Sequence, residues 1–252
     1  EEARGAGFAV TGTVPGGVTL TGDWAEVARA NRTLRGPVRV LARIGAFRAL
    51  HLAQLDKRAR RFPWGETLRP DVPVSVEAAC TKSRIYHEGA AAERIAGALT
   101  ANGFTVSAEA PVRVLARIDD DLCTLSVDTT GPALHIRGVK QAVGKAPLRE
   151  TLAALFLMRC GYRGDMPVVD PMCGSGTIPI EAAEIALGLA PGRSRGFALA
   201  QLAVAAPLPP PPPPRETALR FHGFDRDDGA IRSAAANAAR AGVEPVTAFL
   251  RQ

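Results

Sequence analysis

The stretch Val168-Val169-Asp170-Pro171-Met172-Cys173-Gly174-Ser175-Gly176-Thr177 constrains the fold more than any other part of the sequence. A short apolar strand that runs into a glycine turn and leaves it as a helix, here expected over Ile178–Leu189, is the opening of a doubly wound parallel sheet. Glycine is needed because a turn without Cβ atoms lets backbone N–H groups and the helix N-terminus come close to a ligand. Two phosphate-binding patterns fail. Pro179 stands where the last glycine of G-x-G-x-x-G should be, and the loop has no Gly-Lys-Ser/Thr ending. A purely structural strand-to-helix turn is the plain alternative.

The flanking residues extend the pattern. Pro147–Cys160 predicts a helix, with Pro147 near its start, Arg149 and Glu150 in its first turn and Gly161 after its end. Ala218–Phe224 predicts a strand ending at Asp225, Asp228–Ala241 a helix stopped by Gly242, and Val246–Leu250 a third strand. Between them, Ala206–Pro214 holds Pro207 and six consecutive prolines from Pro209, which fits only an extended surface insertion. The first half reads as mixed α/β. Strands are expected at Val38–Ile44, Val72–Ala79, Leu122–Asp128 and Ala133–Arg137, and a helix at Ala90–Leu99 with Asn102-Gly103 as its stop. The octapeptide PVRVLARI occurs at Pro37–Ile44 and again at Pro111–Ile118, which suggests two similar strands, or chance, rather than a solenoid. The expected domains are therefore 1–137 and 138–252.

Composition narrows the function classes. No apolar run approaches the roughly 18 residues that cross a bilayer, and Glu1-Glu2 at the start does not resemble a secretory leader. Cys80, Cys123, Cys160 and Cys173 form no CxxC pair and have no His at metal spacing, so free thiols in a reducing, cytoplasmic compartment and no metal are expected. From Arg29 to Arg69 eleven basic residues face only Asp56 and Glu66, a local charge of +9 in a chain whose net charge is +6. Such a segment attracts a polyanion, nucleic acid being the commonest. The candidate contacts are Arg43, Arg48, Lys57, Arg58, Arg60 and Arg61. Only 5% of residues are aromatic, and Trp24 and Trp64 read as core or edge residues before base-stacking ones.

The glycine stretch, carried on to Ala183, closely resembles motif I of class I S-adenosylmethionine-dependent methyltransferases. Three further blocks match in order: Leu134-His135-Ile136-Arg137-Gly138, Gly144-Lys145-Ala146-Pro147-Leu148-Arg149-Glu150-Thr151-Leu152-Ala153-Ala154, and Gly223-Phe224-Asp225-Arg226-Asp227. Together they resemble the branch with an N-terminal THUMP RNA-binding domain, which includes bacterial enzymes that methylate guanine in large-subunit ribosomal RNA. The resemblance implies an α/β chain in which a mixed, ferredoxin-like or THUMP-like RNA-binding region (1–137) precedes a partial Rossmann-like methyltransferase domain (138–252). It implies S-adenosylmethionine as cofactor and RNA, ribosomal in this branch, as partner. Gly174 and Gly176 would let the loop approach the methionine moiety, and Ser175 and Thr177 would offer hydroxyls and N–H groups to its carboxylate. Cys173 lies within the same loop, and Asp170 would orient it or take the cofactor's ammonium. Asp225 would accept from the ribose hydroxyls, Arg226 would flank the adenine, and Ala146, Pro147 and Leu148 would close the pocket.

Neighbouring residues have plainer readings. Cys173 has no evident base beside it, so a nucleophilic role is not expected. Glu181 reads as a structural or cofactor-orienting carboxylate, and His135 as a packed strand histidine. The resemblance also implies an Asn/Asp-Pro-Pro-aromatic tetrapeptide that holds the exocyclic amine; the sequence contains none, so no catalytic residue is assigned and the chain is expected to be an internal piece of a longer protein. Two other readings share these features: an adenine-specific N6 DNA methyltransferase, and a non-catalytic RNA-binding module.

Overall fold

The computed structural model describes residues 1–141, 147–208, 210–211 and 213–252. Along the chain run α1 (Glu2–Gly5), β1 (Ala9–Val14), β2 (Gly17–Thr21), α2 (Trp24–Thr33), β3 (Leu41–Arg48), α3 (Leu52–Arg60), β4 (Val74–Thr81) and α4 (Glu88–Ala101). Then follow β5 (Val112–Asp119), β6 (Leu122–Asp128), α5 (Glu150–Arg159), β7 (Val168–Asp170), α6 (Thr177–Ala186), β8 (Phe221–Asp225), α7 (Asp228–Ala241) and β9 (Thr247–Arg251). The fold is α/β. It has two compact units, one built from 39–132 and 197–207, the other from 1–38, 133–196 and 208–252. The expected division at residues 137 and 138 does not coincide with them, because the first 38 residues pack into the unit that holds the glycine loop.

The central unit carries a four-stranded mixed sheet in the order β3-β6-β5-β4. The strands β4 and β5 are parallel and joined through α4, whereas β5 and β6 form a hairpin whose turn residues Asp120 and Asp121 both have positive φ. Alternation explains why β5 and β6 hold one face inward: Val112, Val114, Ala116 and Ile118 are buried from one, Cys123, Leu125 and Val127 from the other. The two copies of PVRVLARI behave differently. Val112–Ile118 is strand throughout, but β3 starts only at Leu41. Arg39 and Val40 are engaged elsewhere: Arg39 donates to the Asp128 carboxylate and Val40 N–H to Thr130 Oγ1 at 2.8 Å. In both copies the arginine, Arg39 or Arg113, meets the same buried Asp128.

In the other unit β7, β8 and β9 form a parallel three-stranded sheet in register Val168↔Phe221↔Thr247. Its core gathers Ile180, Ala183, Phe221, Ala238, Val243 and Val246, with Phe249 packed against it. The β1–β2 hairpin and α2 belong to this unit too.

Several boundaries differ from expectation for identifiable reasons. The helix expected from Pro147 starts at Glu150, because Leu148 O accepts from Lys140 Nζ at 2.7 Å instead of from a helical N–H. Ala133–Arg137 is a turn closed by Ile136 N–H on Ala133 O (2.9 Å), not a strand. Helix α6 ends at Ala186, ahead of Gly188, whose φ of +67° is left-handed. The strand expected from Ala218 begins at Phe221. By contrast β6, β7 and α7 have the expected bounds, and Gly242 caps α7 with φ +71°. No helix among the described residues is long and apolar enough to cross a membrane, and none of their His, Cys, Asp and Glu side chains group in threes as metal ligands would.

Candidate functional site

The glycine loop leaves β7 at Asp170, whose Oδ1 accepts Met172 N–H at 3.0 Å and so starts the turn. Cys173 N–H then donates to Phe224 O (2.8 Å), which ties the loop to the end of β8. One residue on, Gly174 N–H donates to Asp225 Oδ2 at 3.0 Å, while Asp225 Oδ1 accepts Asp227 N–H at 3.0 Å. The motif and the acidic residue, 51 positions apart, therefore form one constellation. The N–H groups of Asp227 and Gly174 hold the Asp225 carboxyl below its ordinary range, so it is an anion at neutral pH with lone pairs still to offer.

The two loop glycines serve different ends. Gly176, at φ +81°, caps α6; a Cβ there would lie 2.9 Å from the Phe249 ring and 3.0 Å from Ala234. Gly174 also has positive φ, yet a Cβ on it would meet nothing within 4 Å. Its neighbourhood is open, and the N-terminus of α6 has no side-chain cap. Open backbone, uncapped helix N–H groups and an adjacent carboxylate suit a ligand carrying both an anionic group and hydroxyls.

Behind the loop lies a support that the sequence reading missed. Lys140 Nζ donates to Leu148 O and to Thr177 Oγ1 (2.9 Å) and lies 3.7 Å from Glu150. Burial lowers the Lys140 ammonium, against the pull of Glu150. The Thr177 hydroxyl is engaged by this contact and by Leu148 O, so its backbone N–H is the group it can offer. On α7, Asn237 is buried; its Nδ2 donates to Ser175 O at 3.1 Å and its Oδ1 accepts from Gln141 N–H and the Arg240 guanidinium. The signal was a lone amide in Ala234-Ala235-Ala236-Asn237-Ala238-Ala239, a polar residue on an otherwise apolar run. Lys140, Ser175, Thr177 and Asn237 also line a small cavity of about 20 Å³, with Glu150 and Glu181.

The structure gives the remaining expected residues definite places. Leu148 reaches the loop through its carbonyl, Pro147 and Arg226 are exposed, and Ala146 lies outside the described residues. Cys173 is buried against Gly223, and burial, with Asp170 and Asp225, pushes its thiol up to about 12, so it is no nucleophile. Glu181 is structural. It is buried with Glu184 and paired with Arg35 (2.6 Å) and Arg137, while Arg193 meets Glu184 at 2.6 Å. Burial alone would raise the Glu181 carboxyl, but Arg137 and Arg35 outweigh it and hold it low. His135 is half-buried in a turn rather than on a strand, and burial lowers its imidazole.

The +9 segment is not one surface. Arg29 and Arg35 lie in the unit of the glycine loop, where Arg29 stacks over Phe8 at 3.5 Å and pairs with Glu26, and Arg35 is buried on Glu181. In the central unit Arg39 meets Asp128, Arg60 meets Asp56 (2.8 Å) and Arg69 meets Asp71 (2.6 Å). Arg43, Arg48, Lys57, Arg58, Arg60 and Arg61 are all exposed. Of these, Lys57, Arg58 and Arg61 converge on one open groove of about 510 Å³, lined also by Phe47, Gln54, Phe62 and Pro63. Arg48 instead meets Asp120 at 3.8 Å. Trp64 is core, donating Nε1–H to Ala59 O at 2.8 Å.

Known proteins bear out the class that this fold and loop define. Residues 137–251 match the UPF0020 family model, described as an RMKL-like methyltransferase domain, and residues 1–41 match the RlmL ferredoxin-like domain. Residues 137–251 are thus similar to methyltransferase domains of the RMKL-like type. It is 42% identical over 157 residues to the ribosomal RNA large subunit methyltransferase K/L of Vibrio campbellii, covering 57% of this chain and 22% of that protein. The protein of the same name from Psychromonas ingrahamii is 32% identical over 254 residues, 93% of this chain and 34% of the relative. The chain therefore spans about a fifth to a third of the length of these relatives. Among solved structures, a possible methylase from Clostridium difficile superposes with a TM-score of 0.85 at 29% identity, over 98% of this chain and 70% of that one. SMU.472, a putative methyltransferase complexed with SAH, gives 0.80 at 25% identity, over 100% and 71%.

Proposed function

We propose that this chain is the cofactor-binding and RNA-binding part of an S-adenosylmethionine-dependent RNA methyltransferase whose target is an exocyclic base amine, that of a guanine in large-subunit ribosomal RNA. The observation that carries the reading is the Gly174 N–H on Asp225 Oδ2, beside open space at the Gly174 Cα. The residues fit the cofactor. Asp225 would accept from the ribose hydroxyls, the backbone of Gly174–Thr177 would receive the methionine carboxylate, and Asp170 would face its ammonium. Once bound, the cofactor supplies a sulfonium methyl. The chain's own part is to fix that group in line with an incoming base, and positioning of this kind supplies most of the rate for such a displacement.

The central unit, 39–132 with 197–207, takes the THUMP-like role. Its exposed Arg43, Arg48, Lys57, Arg58 and Arg61 would hold phosphates, which position RNA without specifying its sequence. The relatives, ribosomal RNA methyltransferases by name, support ribosomal RNA as the substrate class.

Calorimetric titration with S-adenosylmethionine tests the reading. Saturable binding by the folded chain, weakened at least about tenfold by Asp225→Ala as loss of a charged hydrogen-bond partner requires, is the expected result. Binding that is unchanged in the variant would refute the assigned site.

A further inference from the structure

Three exposed cations around a groove attract any polyanion; what distinguishes this groove is its floor. Phe47 and Phe62 line it together with Lys57, Arg58 and Arg61, and among the described residues no carboxylate does. The Phe62 ring is held in a prepared position. It lies on β3 at Gly45, where a Cβ would come within 2.5 Å of Phe62 Cε2, and it packs tilted against Trp64 with centroids 4.6 Å apart and planes at 56°. A glycine inside a strand weakens it and marks close approach of another group. Here the approaching group is an aromatic ring. Trp64 in turn is buried and anchored to Ala59 O, so the ring rests on rigid structure. Helix α3 carries Lys57, Arg58 and Arg60 in its last turn, with Arg61 as its cap. The cations thus rise from one short element directly before the ring.

We propose that this groove is a binding site for unpaired RNA, in which a base stacks on Phe62 and Phe47 while Lys57, Arg58 and Arg61 take the adjoining phosphates. The inference rests on the reading of an RNA-directed enzyme and narrows it to single-stranded segments. A duplex presents its bases edge-on within grooves and gives an aromatic floor nothing to stack on, whereas any unpaired base has an exposed face. The pairing of backbone cations with stacking rings tolerates any sequence, so this site grips an unpaired strand and leaves base choice to the methylation site.

The test compares the folded chain's affinity for a uridine oligonucleotide and for an RNA duplex of equal phosphate number, by fluorescence anisotropy at fixed salt. The single strand binds more tightly; Phe62→Leu weakens it about tenfold, in line with stacking on one ring, and leaves duplex binding unchanged. Because Phe62 also packs on β3, a second measurement uses the unaltered chain: a 5-iodouridine oligonucleotide, photo-crosslinked and mapped, attaches to Phe47 or Phe62. Equal affinity for both RNAs, or crosslinks confined to other peptides, overturns the groove assignment alone. Failure of the folded chain to bind either RNA overturns both the groove and the RNA-directed reading.

Discussion

Arginines in the two compact units share a charge and little else. In the unit of the glycine loop, Arg35 and Arg137 are nine-tenths or more buried, and with Arg193 they neutralise Glu181 and Glu184. In the central unit, Lys57, Arg58 and Arg61 face solvent around an open groove. The first set is committed to holding residues 1–38 and 133–138 against α6; the second keeps its charge for a partner. A count of charges along the chain cannot separate them, since Arg35 and Arg58 fall in the same +9 segment. The deciding quantity is desolvation, which makes a buried arginine dependent on its carboxylate and leaves an exposed one independent of any.

The largest expected effect follows from that dependence. Glu181→Ala leaves Arg35 and Arg137 without their main counterion and should cost about 3–5 kcal/mol of stability in urea unfolding. A loss below about 1 kcal/mol would break the contrast between the units. The same carboxylate carries a pH signature. Its folded pKa is lowered, so the stabilisation it gives is present above its ordinary value of 4.5 and is lost as pH falls through the lower folded value. Stability curves of the parent should bend downward in that acid window, and those of Glu181→Gln should bend less.

An intermediate effect is expected where the buried group is itself neutral. Asn237→Ala removes the donor to Ser175 O and the acceptor for Gln141 N–H, costing about 1–2 kcal/mol. Loss of loop order should lower S-adenosylmethionine affinity about tenfold, equivalent to roughly 1.4 kcal/mol. Asn237→Asp sharpens the point, because it keeps the acceptor and the Arg240 contact while facing Ser175 O with an oxygen. A stability loss with unchanged cofactor affinity would make Asn237 merely structural.

The smallest effect on stability belongs to the exposed set. Replacing Lys57, Arg58 and Arg61 together with Ala should shift unfolding by no more than about 0.5 kcal/mol. On single-stranded RNA, however, the slope of log affinity against log salt should shallow by about 2, three cations at roughly 0.7 each. A shift in stability with no change of slope would place these cations among the structural ones.

Much of the site was legible because it is local. The strand, glycine turn and helix around Gly174 occupy consecutive residues, and left-handed backbone at Gly174 and Gly176 is what their residue type allows most easily. Asp225 was legible as the acidic end of the next strand, and α7 was bounded on both sides by its own caps, Asp227 and Gly242. Lys140 and Asn237 were not, because each acts on atoms brought to it by another element. Sequence patterning likewise placed β6 and left 111–118 open between a second similar strand and chance, yet could not see that the first PVRVLARI delays its strand to Leu41.

By itself, then, the sequence determined an α/β chain, the identity and chemistry of the glycine loop, and an excess of cations in its first third, since each depends on neighbours along the chain. Only the tertiary structure decided which cations are bound to Glu181, Glu184 and Asp128 and which remain exposed, that residues 1–38 join the loop's unit, and that Phe62 rests on Gly45. Those outcomes depend on burial and on contacts across 9 to 149 positions of sequence. Local propensity carries no record of either.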